Sequence, residues 1–294
     1  MFNTKCPYTL EPIAEIDSNR EHIIPDALGG PNGFALNADA MANSTFGDGV
    51  DATLINQPLM LMKASQAEVE TRSGPVVVKL QGTLVSDGSP SDIRIFEDGR
   101  ATFRSRIPVV KDPNTGEVIG VRGYGDAAKK QADALRAGNA KKGRIVVTGE
   151  SVAGDPTTNV RLRHDLAADD QGLGKIAYLT AVWTLGDTFI DTPAAAAFRK
   201  LIFGPPTRES IDASGVRVLR DDGSEAPFIP PSAREHHLIC ATTGGTLFVY
   251  VSLFCDHLFT RSYIAPLAFS DSSRAIVVNA TDKTFEELSD FLPR

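Results

Sequence analysis

The chain reads as an α+β protein, and three features of its 294 residues carry that reading. A strand–loop–strand–helix stretch lies near the N-terminus. Segments alternating apolar with polar residues begin at Gly74. After Leu173 come apolar segments dense enough to wrap most of a helix, followed by a return to strand-like runs. The length fits roughly two domains at ~150 residues each. Composition divides the chain into an N-terminal module (1–61), a β-rich region (62–165) and an α+β C-terminal part (166–294).

Within 18–54, Glu21 and His22 stand just before the apolar pair Ile23-Ile24, and Pro25 and the turn 28–33 (LGGPNG) follow. A short helix begins at Asn37 or Asp39, both acceptable N-caps, and stops at Gly47. The β-rich region holds strands over 76–85, 92–98 and 100–110. The turn signals 87–90 and 112–116 and the two-residue hairpin signal Asp98-Gly99 separate and bound them. A helix over 125–137 ends at Gly138, and strands follow at 144–148 and 159–163. Residues 173–185 (LGKIAYLTAVWTL) form a buried helix closed by Gly186. A second helix covers 193–202 before the breaker Gly204-Pro205-Pro206. Strands at 237–241, 246–253 and 274–278 and a last helix over 284–292 complete the reading.

Composition excludes some classes. At 42% hydrophobic and 23% charged residues the chain is of ordinary soluble type, and no apolar run approaches the ~20 residues of a membrane-spanning helix. The N-terminus lacks the basic-then-apolar layout of a signal peptide, and three cysteines do not make a disulfide framework; a reducing cytoplasm is expected. The net charge of -7 is unlike that of a nucleic-acid binder, although a local basic patch suffices for binding. Lys129, Lys130, Arg136, Lys141, Lys142 and Arg144, with Asp133 the one acid among them, read either as a solvated helix face or as such a patch.

Chemistry concentrates in 18–54. A carboxylate (Glu21) and an amide oxygen (Asn43) are hard ligands suited to Mg²⁺ or Mn²⁺, and a histidine beside them, His22, is the residue type of a general base at neutral pH. Adjacent strand residues point to opposite faces, so Glu21 and His22 serve one site only if the strand ends or bends there. Asn43 sits in mid-helix, where asparagine is a poor helix former. Asn37 is either an N-cap or a brace for the loop, and Arg20 either a phosphate contact or a plain surface cation. A second constellation, His236, His237, Cys240, Cys255 and His257, has zinc-like spacing. Its cysteines lie in apolar strand-like runs, where free cysteine behaves as a small core hydrophobe.

The string E-H-I-I-P-x-x-L-G-G (Glu21 to Gly30) followed by N-x-x-F-G (Asn43 to Gly47) resembles the HNH, or ββα-metal, endonuclease family, over about 45 residues. D-G-V-D-A-T-L (48–54) and the segment 172–187 also resemble longer bacterial proteins of this kind. The resemblance implies an N-terminal ββα-metal module whose divalent cation, Mg²⁺ or Mn²⁺, is held by Glu21 and Asn43. It further implies His22 as the base that activates water, Asn37 as a bracing residue, and phosphodiester hydrolysis, of DNA rather than RNA, in bacterial defence. Arg20, Lys129, Lys130, Lys141 and Lys142 are the expected nucleic-acid contacts. The alternative is a nucleic-acid-binding or regulatory protein whose module is inactive.

The nearest branch of the family carries two C-x-x-C pairs that bind a structural zinc. Here Cys6 is followed by Thr9 at the second position, and the downstream pair falls on Asp39 and Ala42. No structural zinc is therefore expected, and a module of this size without that staple should need packing against the rest of the chain.

Overall fold

Strand β1 (Ser18–His22) pairs antiparallel with β2 (Ala35–Asp39), Glu21 standing opposite Leu36 and His22 opposite Ala35. Helix α1 (Ala40–Phe46) follows at once, capped by Asp39, whose carboxylate accepts from the Ala42 N–H at 2.8 Å. A strand, a loop, a strand and a helix thus stand in the expected order. This computed structural model describes residues 3–85, 88–96, 98, 100–105, 109–121, 125–141, 157–220 and 232–289. The strand expected at 144–148, Lys142 and part of the Asp98-Gly99 turn lie outside them.

Two details of the N-terminal stretch differ from expectation. Asn37 is inside β2 and is not a cap; its backbone N–H and C=O both bond the Asn3 side chain, each at 2.8 Å. The helix does not stop at Gly47, whose backbone is right-handed helical (φ -57). It widens into one π-helical turn (Gly47–Asp51) and continues as α2 (Ala52–Ile55) and α3 (Pro58–Gln66). Two tiny strands, β3 (Glu70–Thr71) and β4 (Gly74–Pro75), end the segment.

The chain divides into two compact units: Met1–Val76 with His164–Arg294, and Val77–Arg163. In the second unit β5 (Val78–Leu84), β6 (Pro90–Ile95) and β7 (Ala101–Ser105) form an antiparallel meander. A separate hairpin, β8 (Val109–Lys111) and β9 (Val118–Val121), and the helix α4 (Gly125–Lys141) follow. Strand β10 (Thr158–Val160) returns to pair with β5, giving the sheet order β10-β5-β6-β7.

The first unit resumes with α5 (Leu166–Leu185), α6 (Asp187–Ile190), α7 (Pro193–Phe203) and α8 (Arg208–Ala213). Its sheet uses β11 (Arg217–Arg220), β12 (Glu235–Thr243), β13 (Thr246–Ser252), β14 (Thr260–Pro266), β15 (Ser272–Asn279) and β16 (Thr284–Ser289). The order is β11-β14-β13-β12-β15-β16, antiparallel throughout. The helix expected over 284–292 is instead the edge strand β16. The exposed ladder of β15 and the packing of Phe285 against Phe34 and Trp183 outweigh the local helix preference of Glu-Glu-Leu.

One core joins the N-terminal module to this sheet: Phe34, Leu36, Phe46 and Leu54 share it with Ile176, Trp183, Leu238 and Val278. The Gly29-Gly30 corner shows how closely they meet. Gly29 has φ +87, and a Cβ there would lie 2.3 Å from the Ala280 carbonyl oxygen; one on Gly30 would lie 1.7 Å from that of Ile24. Buried His236 of β12 completes the junction, with Nε2 2.7 Å from the Leu28 carbonyl oxygen and Nδ1 accepting from the Phe254 N–H at 3.0 Å. That pattern fixes a neutral ring with its proton on Nε2.

Burial holds the His236 pKa down at about 4. The folded form therefore binds fewer protons than the unfolded chain, where histidine titrates near ~6.5. Its contribution is complete above that value and is lost as pH falls toward 4. Urea unfolding between pH 7 and 4 should show roughly 3 kcal/mol of loss from this group, at about 1.4 kcal/mol per unit. His236→Asn should flatten that slope by about one proton; an unchanged slope would refute the assignment.

Candidate functional site

Alternation along β1 separates the residues that the motif brings together in sequence. Glu21 points inward and is 2% exposed, whereas Arg20 is exposed and His22 half-buried on the opposite face. Pairing of Arg20 with Asn37 across the hairpin puts Arg20, His22 and Asn37 on one face. There His22 Nε2 lies 3.1 Å from Asn32 Oδ1. Asn43 belongs elsewhere: its Nδ2 donates to Asn19 Oδ1 at 2.5 Å and to the Arg20 carbonyl at 3.1 Å, tying α1 to β1.

The inward group is an ion cluster. Lys175, in the middle of α5 and 1% exposed, is ion-paired to Glu21 Oε1 and lies 2.5 Å from Asp51 Oδ2. The Phe46 ring lies beneath its ammonium at 5.9 Å. Burial opposes the Lys175 charge, but Asp51 and Glu21 together outweigh it and hold the ammonium above the usual lysine range. For Glu21 burial dominates: despite Lys175, its carboxyl is raised above the ordinary carboxylate range. Tyr8 completes the wall, its phenol pushed well up by burial and by the two carboxylates. Three oxygens here, Tyr8 Oη, Glu21 Oε2 and Asp51 Oδ1, are buried without a hydrogen bond of standard geometry among the described residues, although the Tyr8 phenol and the Glu21 carboxylate are close enough to affect each other's protonation.

As arranged, the Glu21–Asn43 pair does not fit a divalent ion. The acid is already matched to an ammonium, and the amide is committed to Asn19 and the β1 backbone. Sequence reasoning singled out Glu21 but missed Lys175 and Asp51. The available signal was a single lysine in the stretch 173–185, which has no carboxylate of its own, so that burial of that stretch requires a carboxylate partner from elsewhere.

Cys6, Thr9, Asp39 and Ala42, the positions that the resemblance sets against the zinc cysteines, are linked by hydrogen bonds. Cys6 is fully buried, and its sulfur accepts from the Thr9 N–H at 3.5 Å and the Asp39 N–H at 3.2 Å; Asp39 in turn caps Ala42. The Cys6 thiol thus joins Thr9 and Asp39, and the Asp39 carboxylate extends the chain to Ala42. In the C-terminal sheet, Cys240 is buried, and burial pushes its thiol up to about 12. Cys255 Sγ lies 3.5 Å from both ring nitrogens of His237, so it is not aimed along the lone-pair axis of either one. Of the expected phosphate contacts, Lys129, Lys130 and Lys141 are exposed on α4.

Lys175→Met should leave the buried Glu21 and the half-buried Asp51 without their counter-charge and cost about 3–5 kcal/mol in urea unfolding. Adding Glu21→Gln should recover part of that loss as a positive coupling. A single-variant cost under about 1 kcal/mol would remove the cluster from the structural role given to it. No family model, no curated protein and no solved structure matches this chain.

Proposed function

We propose that this chain binds nucleic acid, as an HNH-like ββα protein whose acid has been turned inward and whose hairpin serves as scaffold. One observation carries the reading: the Lys175 ammonium sits on Glu21 while His22 faces the other way, beside Arg20. With Glu21 committed to Lys175 and His22 to Asn32, the acid and the imidazole share no partner in this arrangement. What supports the ββα likeness is the order β1, β2, α1 and the gathering of Cys6, Thr9, Asp39 and Ala42. Support for nucleic acid comes from the resemblance and from the exposed cations Arg20, Lys129, Lys130 and Lys141.

A metal-dependent endonuclease is the second reading. What favours it is the set of buried oxygens on Glu21, Asp51 and Tyr8, which are hard donors of the kind Mg²⁺ or Mn²⁺ takes.

Supercoiled plasmid and a labelled duplex incubated with Mg²⁺, Mn²⁺ or EDTA separate the two. Binding should survive EDTA and weaken steeply with salt, without nicking under any condition. Nicking that requires the ion and disappears in His22→Ala would replace this proposal with the nuclease. Neither binding nor cutting would end both.

A further inference from the structure

The four-stranded sheet of the second unit has one polar face and one apolar face. Leu80, Ile93 and Phe103 are aligned across β5, β6 and β7 on the apolar side. On the other side the rows read Lys79–Arg94–Thr102 and Gln81–Asp92–Arg104, with Thr83 next along β5 and Asn159 of β10 opposite it. Lys79, Gln81, Thr83, Arg94, Thr102, Arg104 and Asn159 are all exposed, so this face is open among the described residues.

Its charge is at odds with the rest of the chain. The protein carries -7, yet these rows hold three cations and one acid, Asp92. Lys79 and Arg94 stand directly opposite each other, which puts like charges about 5 Å apart at Cβ and destabilises the pairing. Among the described residues Lys79, Arg94 and Arg104 have no ion-pair partner, and Arg161, just past β10, is a further exposed cation. A like-charged pair kept on an open sheet face is relieved when an anion bridges it. Among the described residues of β5, β6, β7 and β10 the outward side chains include no aromatic ring on which bases could stack, and Phe96, just past β6, is covered by the Arg100 guanidinium at 5.1 Å.

We infer that this open sheet face is a contact surface for the sugar–phosphate backbone of nucleic acid, with Lys79, Arg94 and Arg104 as its phosphate ligands. The inference rests on the nucleic-acid reading above and places its main contact on the β5-β6-β7 face rather than on α4. Binding through it is independent of sequence and strongly salt-dependent, because its ligands read charge and spacing only.

The test is fluorescence anisotropy of the full chain with two labelled duplexes of unrelated sequence, titrated at several potassium chloride concentrations. Each lost phosphate contact lowers the slope of log K against log salt by about 0.9. Lys79→Gln/Arg94→Gln/Arg104→Gln should therefore flatten the slope by about 2.7, equally for both sequences. The charge-preserving set Lys79→Arg/Arg94→Lys/Arg104→Lys should keep the slope, and melting curves of both variants report whether the unit stays folded. If the glutamine set binds with the wild-type slope while Lys129→Gln/Lys130→Gln/Lys141→Gln loses it, this surface is wrong and the nucleic-acid reading stands. If the wild-type chain binds neither duplex at low salt, or binds only heparin, both fall.

Discussion

The first unit depends on one buried ammonium. Lys175 lies at the centre of α5, almost wholly removed from the surface, and such a charge persists only with carboxylates within bonding distance. Glu21 comes from the hairpin and Asp51 from the π-turn, so satisfying Lys175 draws three separate pieces of chain to one point. The wide turn at Gly47–Asp51 has a role here, because it carries the chain from α1 to an Asp51 that faces α5. Hydrophobic contacts among Phe46, Leu54 and Ile176 supply most of the driving force, and the ion cluster selects which arrangement of those contacts is reached.

The same physics explains a second set of charges on α5. Asp169 and Asp170 are fully buried: Asp169 is held by Gln57 at 2.8 Å and by His164, and Asp170 by Arg261 and Arg220. Tyr263 adds a bond to the Asp170 carbonyl at 2.8 Å. One helix thus presents two acids toward its start and a base at its middle, each with a partner from a different element. Such networks define the neighbours of a helix more narrowly than apolar packing does.

These charges also mark where the sequence could be read and where it could not. Strands β5 and β6 follow from alternation, β12, β13 and β15 from apolar strand-like runs, and α1 from its Asp39 cap. Strand β14 went unread because its inward positions are Arg261, Tyr263 and Ala265, and a buried arginine hides an apolar rhythm. Helix α5 extends seven residues before Leu173, through the two aspartates that make the segment look like surface. In each case the missing information is a partner far along the chain, such as Asp170 for Arg261. The candidate site divides the same way. The residue types in the Glu21–Asn43 string were legible, as was the ββα order. The direction of Glu21 was not, since it is set by Lys175, more than 150 residues later.

The second unit interrupts the first: the chain leaves at Val76 and comes back at His164. On the ribosome, the carboxylates of Glu21 and Asp51 emerge long before the helix that neutralises them. Until α5 arrives, the hairpin has neither its counter-charge nor the far wall of its core, and it must wait while an 87-residue insertion is synthesised. Closing a loop of that length carries only a slowly growing entropic penalty, so the delay weighs on the timing of folding far more than on the stability finally reached.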